Sequence, residues 1–321
     1  MKNMKNKEYR PTIAQLRAFV TIAEHRHFST SAARLGISQP SLSQALVALE
    51  SGLNLQLIER STRKVIVTAA GQALLPYARA ALDTTDDFVS HARGVNDSLS
   101  GPVTIGVIPT VAPYILPDLL HLISMEMPDV QPNIVEEQTH RLIESLKQGT
   151  IDIAVFALPS GESGLIEQHL YDEDFFLVVP EGHELAGRRH VDPKVLDKLN
   201  LLLLDDGHCL RDQVLDLCRR TGRGSKANQA VTRVASLTTV VQCVAGGLGA
   251  TLVPASALPV EAHQEGVAIA TFKKGSVPCH REIGLAYRSS TSPSRGEQFQ
   301  HIGRHITRAF EKVTQDTRLL A

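Results

Sequence analysis

No tryptophan occurs in the chain and only 4% of its residues are aromatic, mild oddities that exclude nothing by themselves. Other absences exclude more. No apolar run approaches the ~18 residues needed to cross a bilayer, which argues against a membrane span. The start, MKNMKNKEYR, lacks the hydrophobic stretch of a secretory signal, so the expected location is the cytoplasm. There thiols are kept reduced, so the four cysteines read as core fillers, metal ligands or redox-active groups rather than as a structural framework. None stands in a CxxC pair, and no spacing matches a usual zinc pattern; neither metal nor cofactor is expected.

At 321 residues, 43% hydrophobic and 21% charged, the chain has the makeup of an ordinary globular protein with two or three domains. Its net charge of -1 conceals an asymmetry. Residues 1–68 carry ten Lys/Arg against four Asp/Glu, which leaves 23 against 30 for the remainder. A small basic head on an acidic body points to an anionic partner for the head alone, nucleic acid being the obvious one.

Within that head, Ile13, Leu16, Phe19, Val20 and Ala23 recur at helical spacing, and a second helix is predicted over Thr30–Leu35 with Ser29 as its cap. After a break at Gly36, Ser38 opens a third helix with Pro40 in its first turn, where a missing N–H costs nothing. Two helices joined by a short glycine turn form a helix-turn-helix. Leu57–Arg60 and Lys64–Thr68 flank the polar tip Ser61-Thr62-Arg63 and predict a hairpin wing. From Ala69 to about Val95 the chain is alanine-rich with an apolar stripe (Leu74, Leu75, Ala78, Leu82, Val89), as expected for a long helix that pairs with a second copy. Ser98-Leu99-Ser100-Gly101-Pro102 then breaks it. Beyond, strand-like runs (103–108, 151–158, 175–179, 201–204, 250–253, 283–287) alternate with helical stretches, which predicts an α/β domain with largely parallel sheets.

A helix from Ser38 laid in a major groove would present Ser38, Gln39, Pro40, Ser41, Ser43 and Gln44 to base edges. Arg34, Arg60, Arg63 and Lys64 are placed to neutralise phosphates, and Ser29 and Thr62 are further candidate DNA contacts. Ser, Gln and Pro at a helix start also serve as plain caps, so these residues alone do not decide the matter. The string Phe28-Ser29-Thr30-Ser31-Ala32-Ala33-Arg34-Leu35-Gly36-Ile37-Ser38-Gln39-Pro40-Ser41-Leu42-Ser43 resembles the helix-turn-helix of LysR-type transcriptional regulators. Leu57–Arg63 and Thr68-Ala69-Ala70-Gly71 resemble the family's wing and linker start, with Ala69 a minor departure. The resemblance implies a winged head over 1–68, a linker helix over 69–97 through which the chain dimerises, and a periplasmic-binding-protein-like (type 2) α/β sensory domain over 101–305. Its first subdomain would take 101–172 and 278–305 and its second 173–277, leaving 306–321 as a tail.

Cys209 stands where the predicted strand 201–204 gives way to a helix, a place where the macrodipole and free N–H groups favour thiolate, with His208 or Arg211 nearby to assist. Thiolate is the form that attacks a peroxide, and a second thiol can capture the sulfenic acid formed. Were 209–218 one continuous helix, Cys209 and Cys218 would lie about 13 Å apart along its axis and on opposite faces. Cα atoms more than about 7 Å apart cannot be bridged without backbone movement, so linking them would refold the segment. A cysteine on an apolar helix position, as Cys218 is beside Leu215 and Leu217, is most often an inert core residue.

The segment Gly207-His208-Cys209-Leu210-Arg211-Asp212-Gln213, with Cys218 after it, resembles the sensing segment of the peroxide-responsive branch of the LysR-type family. Stretches at 23–28, 108–111, 137–140 and 283–288 agree. That resemblance implies Cys209 as the peroxidatic thiol and Cys218 as the resolving one. It also implies a hydrogen peroxide pocket of Thr110, Thr139, His208, Asp212, Gln213 and Arg281, although Thr110 and Thr139 also suit helix capping and the loop before Arg281 departs from the family pattern. Cys243 and Cys279 are expected to be structural. Implied partners are double-stranded promoter DNA, a second copy of the chain in a dimer or tetramer, RNA polymerase and a cellular thiol reductant. The chemistry would be stoichiometric sensing rather than enzymatic turnover. Two other readings stay open, a LysR-type regulator of a small metabolite with inert cysteines, and a thiol peroxidase, which leaves the basic head unexplained.

Overall fold

The N-terminal helices follow from their caps and apolar spacing. α1 (Ile13–His25) starts at Thr12, whose side chain and that of Gln15 close a reciprocal capping box, an arrangement that satisfies two otherwise orphaned amides. α2 (Phe28–Arg34) is capped by the His27 ring, which accepts from the Thr30 N–H. The helix therefore begins before Ser29, the expected cap, and places Ser29 in its first turn. α3 (Gln39–Leu53) does begin at Ser38, whose hydroxyl accepts from the Ser41 N–H at 3.3 Å. The computed structural model describes residues 9–60, 65–92, 100–221, 233–273, 275, 277–315 and 317.

The chain divides into two compact units. The first holds α1 to α3, a hairpin of β1 (Ile58–Arg60) with β2 (Val65–Val67), and α4 (Ala69–Ala92). Phe19, Ile22, Leu42, Leu46, Leu49, Leu57 and Ile58 are almost wholly buried, and Leu75, Ala78 and Leu82 of α4 close over them. Each such side chain contributes about 1.5–3 kcal/mol when fully buried. The helix thus gives one face to its own unit, while Tyr77 and Phe88 remain 68% and 73% exposed. The expected hairpin tip, with Thr62, Arg63 and Lys64, and the expected linker beyond 92 lie outside the described residues.

The second unit is an α/β body around a seven-stranded sheet in the order β10-β6-β11-β5-β3-β4, with β9 also on β6. These strands are β3 (Gly101–Val107), β4 (Val130–Glu136), β5 (Ile153–Leu158), β6 (Leu165–Pro180), β9 (Thr251–Pro254), β10 (Val267–Ala270) and β11 (His280–Arg288). Among the described residues of this sheet, only β3 with β4 and β3 with β5 run parallel; every pairing of β6 and β11 is antiparallel. The expectation of largely parallel sheets is therefore corrected. The cause is β6, a strand of 16 residues whose first half pairs with β11 and whose second half pairs with β9 and β10. Two alternating stretches thereby share one through-going strand.

Around this sheet lie α5 (Ala112–Glu126), α6 (Thr139–Gln148), α7 (Cys209–Thr221), α8 (Leu237–Ala245), α9 (Leu258–Glu261) and α10 (Pro293–Val313). The predicted strand 201–204 shrinks to β7 (Leu203–Leu204), paired in parallel with β8 (Arg233–Val234). The tail expected from 306 is instead helix: α10 runs on to Val313, and Ile306, Ala309 and Phe310 are buried, the last stacked on Tyr171 at 3.7 Å between ring centres. No helix among the described residues is long and apolar enough to cross a membrane.

Candidate thiol site and DNA-reading surface

Cys209 is the first residue of α7. The turn that delivers it depends on Gly207, which adopts φ +92°, and a Cβ there would approach the Gln138 side chain to 2.5 Å. Gln138 in turn donates through Nε2 to the Asp206 carbonyl at 3.3 Å, which ties the turn to the residue preceding α6. Glycine is favoured there by backbone conformation, since the Gln138 side-chain end could move aside.

Burial is the largest influence on the Cys209 thiol and pushes its pKa up. Arg281 opposes this most strongly, followed by the Thr139 hydroxyl and the backbone of Ala157 and Leu210. The expected depression of its pKa at a helix start is reversed in the reduced site, because desolvation outweighs every favourable charge around the sulfur. Arg211, one of the cations expected to help, turns the other way. Its guanidinium donates to the Leu204 carbonyl at 3.1 Å and lies 3.0 Å from Asp206.

The cation that does reach the thiol is Arg281 on β11. It is 2% exposed and held on two sides: Nε donates to Glu173 at 2.7 Å, while Nη1 and Nη2 donate to the Thr110 hydroxyl and carbonyl at 2.8 and 3.0 Å. Thr110 therefore serves Arg281 rather than a helix end, and α5 has no side-chain cap. Thr139, at the start of α6, keeps its Oγ1 buried without a formed hydrogen bond, as does Gln213 Oε1, although Thr139 lies close enough to the thiol to favour its thiolate. Gln213 stands one helical turn beyond Cys209 and so shares its face. A buried polar atom left unpaired costs about 1–3 kcal/mol, so both groups hold unused hydrogen-bonding capacity.

His208 is buried. The His208 ring lines a small cavity of about 100 Å³ with Thr110, Tyr114, Glu136, Ser236 and Thr238, and burial lowers its pKa. Asp212 is exposed in the first turn of α7. Cys218 is 2% exposed, and burial, followed by Asp197, pushes its pKa up to about 11. All four cysteines are free thiols. Because α7 is one unbroken helix from Cys209 to Thr221, the two thiols sit half a turn out of phase and about 13 Å apart along the axis. Cys243 and Cys279 are partly buried against the core of the second unit.

Residues 13–72 match the model of the bacterial regulatory helix-turn-helix protein, lysR family, and residues 96–306 match the LysR substrate binding domain. The chain is 51% identical over 304 residues to a probable hydrogen peroxide-inducible genes activator of Mycobacterium leprae, covering 94% of this chain and 96% of that one. It is 37% identical to the DNA-binding transcriptional dual regulator OxyR of Escherichia coli, with 94% and 98% covered. The chain belongs to the LysR family, in its OxyR branch. Among solved structures it is similar to a cysteine variant of Corynebacterium glutamicum OxyR with hydrogen peroxide bound, at 56% identity and TM-score 0.67 over 96% of this chain and 97% of that one. A full-length OxyR variant from Pseudomonas aeruginosa superposes with TM-score 0.78 at 31% identity, covering 93% and 98%.

In this LysR-type head the start of α3 is open to solvent. Ser38, Gln39, Pro40, Ser41 and Gln44 are exposed and Ser43 is half-buried. Part of that polar edge is engaged internally: Ser38 caps the helix, and Gln39 Oε1 accepts from Ser29 Oγ at 2.9 Å. Arg34 is exposed in the last turn of α2. Arg60 ends β1, but its side chain, like the whole of Thr62, Arg63 and Lys64, lies outside the described residues. Sequence reasoning missed Glu173, although a signal existed. It shares the inward face of β6 with Tyr171 and Phe175, all three buried, and a carboxylate on a buried face demands a partner. That partner is its direct cross-strand neighbour, Arg281.

Proposed function

We propose that this chain is a hydrogen-peroxide-sensing transcriptional regulator in which Cys209 is oxidised and then linked to Cys218. The observation that carries the reading is a half-buried thiol within electrostatic reach of a fixed arginine, with a second thiol on the opposite side of the same helix. The Cys209 thiolate attacks one oxygen of hydrogen peroxide; the S–O bond forms as the O–O bond breaks, and the departing hydroxide takes a proton to become water. Thr139, Gln213 and the Arg281 guanidinium orient the oxidant and meet the developing negative charge. His208 shapes the neighbouring cavity, and Asp212 marks the solvent side of the first turn. The Cys218 thiolate then attacks the Cys209 sulfur, forming the S–S bond and releasing the sulfenic oxygen as water once protonated.

That second step requires α7 to unwind, since disulfide geometry holds Cα atoms at about 4.4–6.8 Å. Peroxide is thereby coupled to a change in the second unit that alters how the head engages promoter DNA. Ser29, Ser38, Gln39, Pro40, Ser41, Ser43 and Gln44 read or border the base edges; Arg34, Arg60, Thr62, Arg63 and Lys64 meet the phosphates. The chain works in the cytoplasm as a dimer through α4, assembled further into a tetramer. It signals to RNA polymerase and is reset by a cellular thiol reductant. The thiol reacts once per cycle, without enzymatic turnover.

Gel-shift and footprinting on the protein's own promoter region test this, using reduced and peroxide-treated protein. A footprint that changes with peroxide in the wild type and not in Cys209→Ser is expected. A variant that responds like the wild type would sink the mechanism.

A further inference from the structure

Glu173 is fully buried at 0% exposure, and so is its partner, Arg281, at 2%. Nε and Nη2 of Arg281 both lie 2.7 Å from a single carboxylate oxygen, Oε2. The other oxygen, Oε1, accepts the Ser256 N–H at 2.8 Å, so the carboxylate cannot swing away. With Thr110 accepting on the far side of the guanidinium, both sides are pinned and its plane is set before any oxidant arrives. A rigid planar fork held in this way is what distinguishes arginine from a flexible point charge.

We propose that Glu173 is a positioning residue for the thiol chemistry: it fixes the plane of the Arg281 guanidinium and balances its charge, so that a compensated cation rather than a bare one faces Cys209. The inference rests on the sensing reading above and adds a residue to it. A compensated cation leaves the resting thiol protonated and quiet, while its N–H groups still point to where negative charge develops. The ionisable groups with an electrostatic influence on Arg281 or Glu173, besides the pair itself, are Tyr171 on β6, Tyr114 on α5 and Cys209; Glu173 carries the negative charge bonded to the guanidinium.

Two substitutions separate charge from aim. Glu173→Gln keeps the size and a carbonyl acceptor but removes the charge; Glu173→Asp keeps the charge but withdraws the carboxylate by one methylene. Both are made in the full-length chain carrying Cys218→Ser. The pH dependence of Cys209 alkylation by iodoacetamide is followed by peptide mass spectrometry, and peroxide oxidation of Cys209 to sulfenic acid is timed in parallel. For Glu173→Gln the alkylation midpoint is expected to fall by about one pH unit, a tenfold faster alkylation at a fixed pH below it. For Glu173→Asp the midpoint should stay, while sulfenic acid forms about tenfold more slowly because Arg281 is misaimed. If both midpoints and both peroxide rates match those of the Glu173 parent, the inference is overturned. Should Glu173→Gln fail to fold, the split between midpoint and rate in Glu173→Asp decides alone, a loss of neither or of both equally counting against it. A parent whose Cys209 alkylates but never reacts with peroxide would instead refute the sensing reading, and the alkylation midpoints would still judge Glu173.

Discussion

Single residues around the thiol are tuned against one another, and desolvation is the strongest influence among them. Arg281, the Thr139 hydroxyl and two backbone groups favour the Cys209 thiolate, yet burial keeps the proton on. His208 shows the same physics with the opposite sign, because burying an imidazole disfavours its cation and lowers its pKa from 6.5. The unfolded chain therefore takes up this proton first on acidification. The resulting stability is present above the ordinary imidazole range and is lost as pH falls through it toward the lower folded value. His208→Gln, which cannot titrate, is expected to flatten the acid limb of stability below about pH 6.5, measured by urea denaturation at a series of pH values. An acid limb as steep as that of the wild type would show that His208 is not a source of that slope.

Elements decide whether two thiols can meet. α7 is held by buried Leu210, Val214 and Leu217 on one side and by Asp216 with Arg219 and Arg220 on its surface. While it stays helical, Cys209 and Cys218 are kept apart, so the disulfide competes with helix stability. A glycine in a helix interior costs about 1 kcal/mol relative to alanine, and Asp216→Gly also removes the surface ion pairs. That variant is expected to convert sulfenic acid to disulfide about fivefold faster, since roughly 1 kcal/mol corresponds to that factor. Rapid quench with mass spectrometry reads the rate, and an unchanged rate would mean that helix opening does not limit the linkage.

For the whole molecule, the question is how two folded units become a regulator. Tyr77 and Phe88 of α4 are large, exposed apolar side chains that stand eleven residues apart and so return to nearly the same helix face. Tyr77 also lines an apolar groove of the first unit with Leu16, Leu49, Leu53 and Leu74. Contiguous apolar surface of this kind marks an association site, in keeping with the proposed dimer. Phe88→Glu is expected to weaken self-association at least tenfold in sedimentation velocity, with promoter binding falling in parallel while the thermal stability of the head is unchanged. A variant that sediments as the wild type would place the dimer contact elsewhere.

The sequence by itself determined the elements whose information is local. Caps, apolar spacing and glycine breaks locate the helix-turn-helix, and the basic excess of the first 68 residues marks the head. Strand-like runs alternating with helices announce an α/β body, and helix periodicity alone separates Cys209 from Cys218. Only the tertiary structure decided what depends on distant partners. Whether β6 pairs parallel or antiparallel is set by strands that return from far along the chain, and the helix past residue 306 is held by burial against Tyr171 rather than by local propensity alone. The direction of the Cys209 pKa shift, and the choice of Arg281 over Arg211 as its cation, follow from how deeply the sulfur is enclosed and from a strand pairing between residues 173 and 281. Electrostatic influence in a protein is set by distance and desolvation, and neither can be read along a chain.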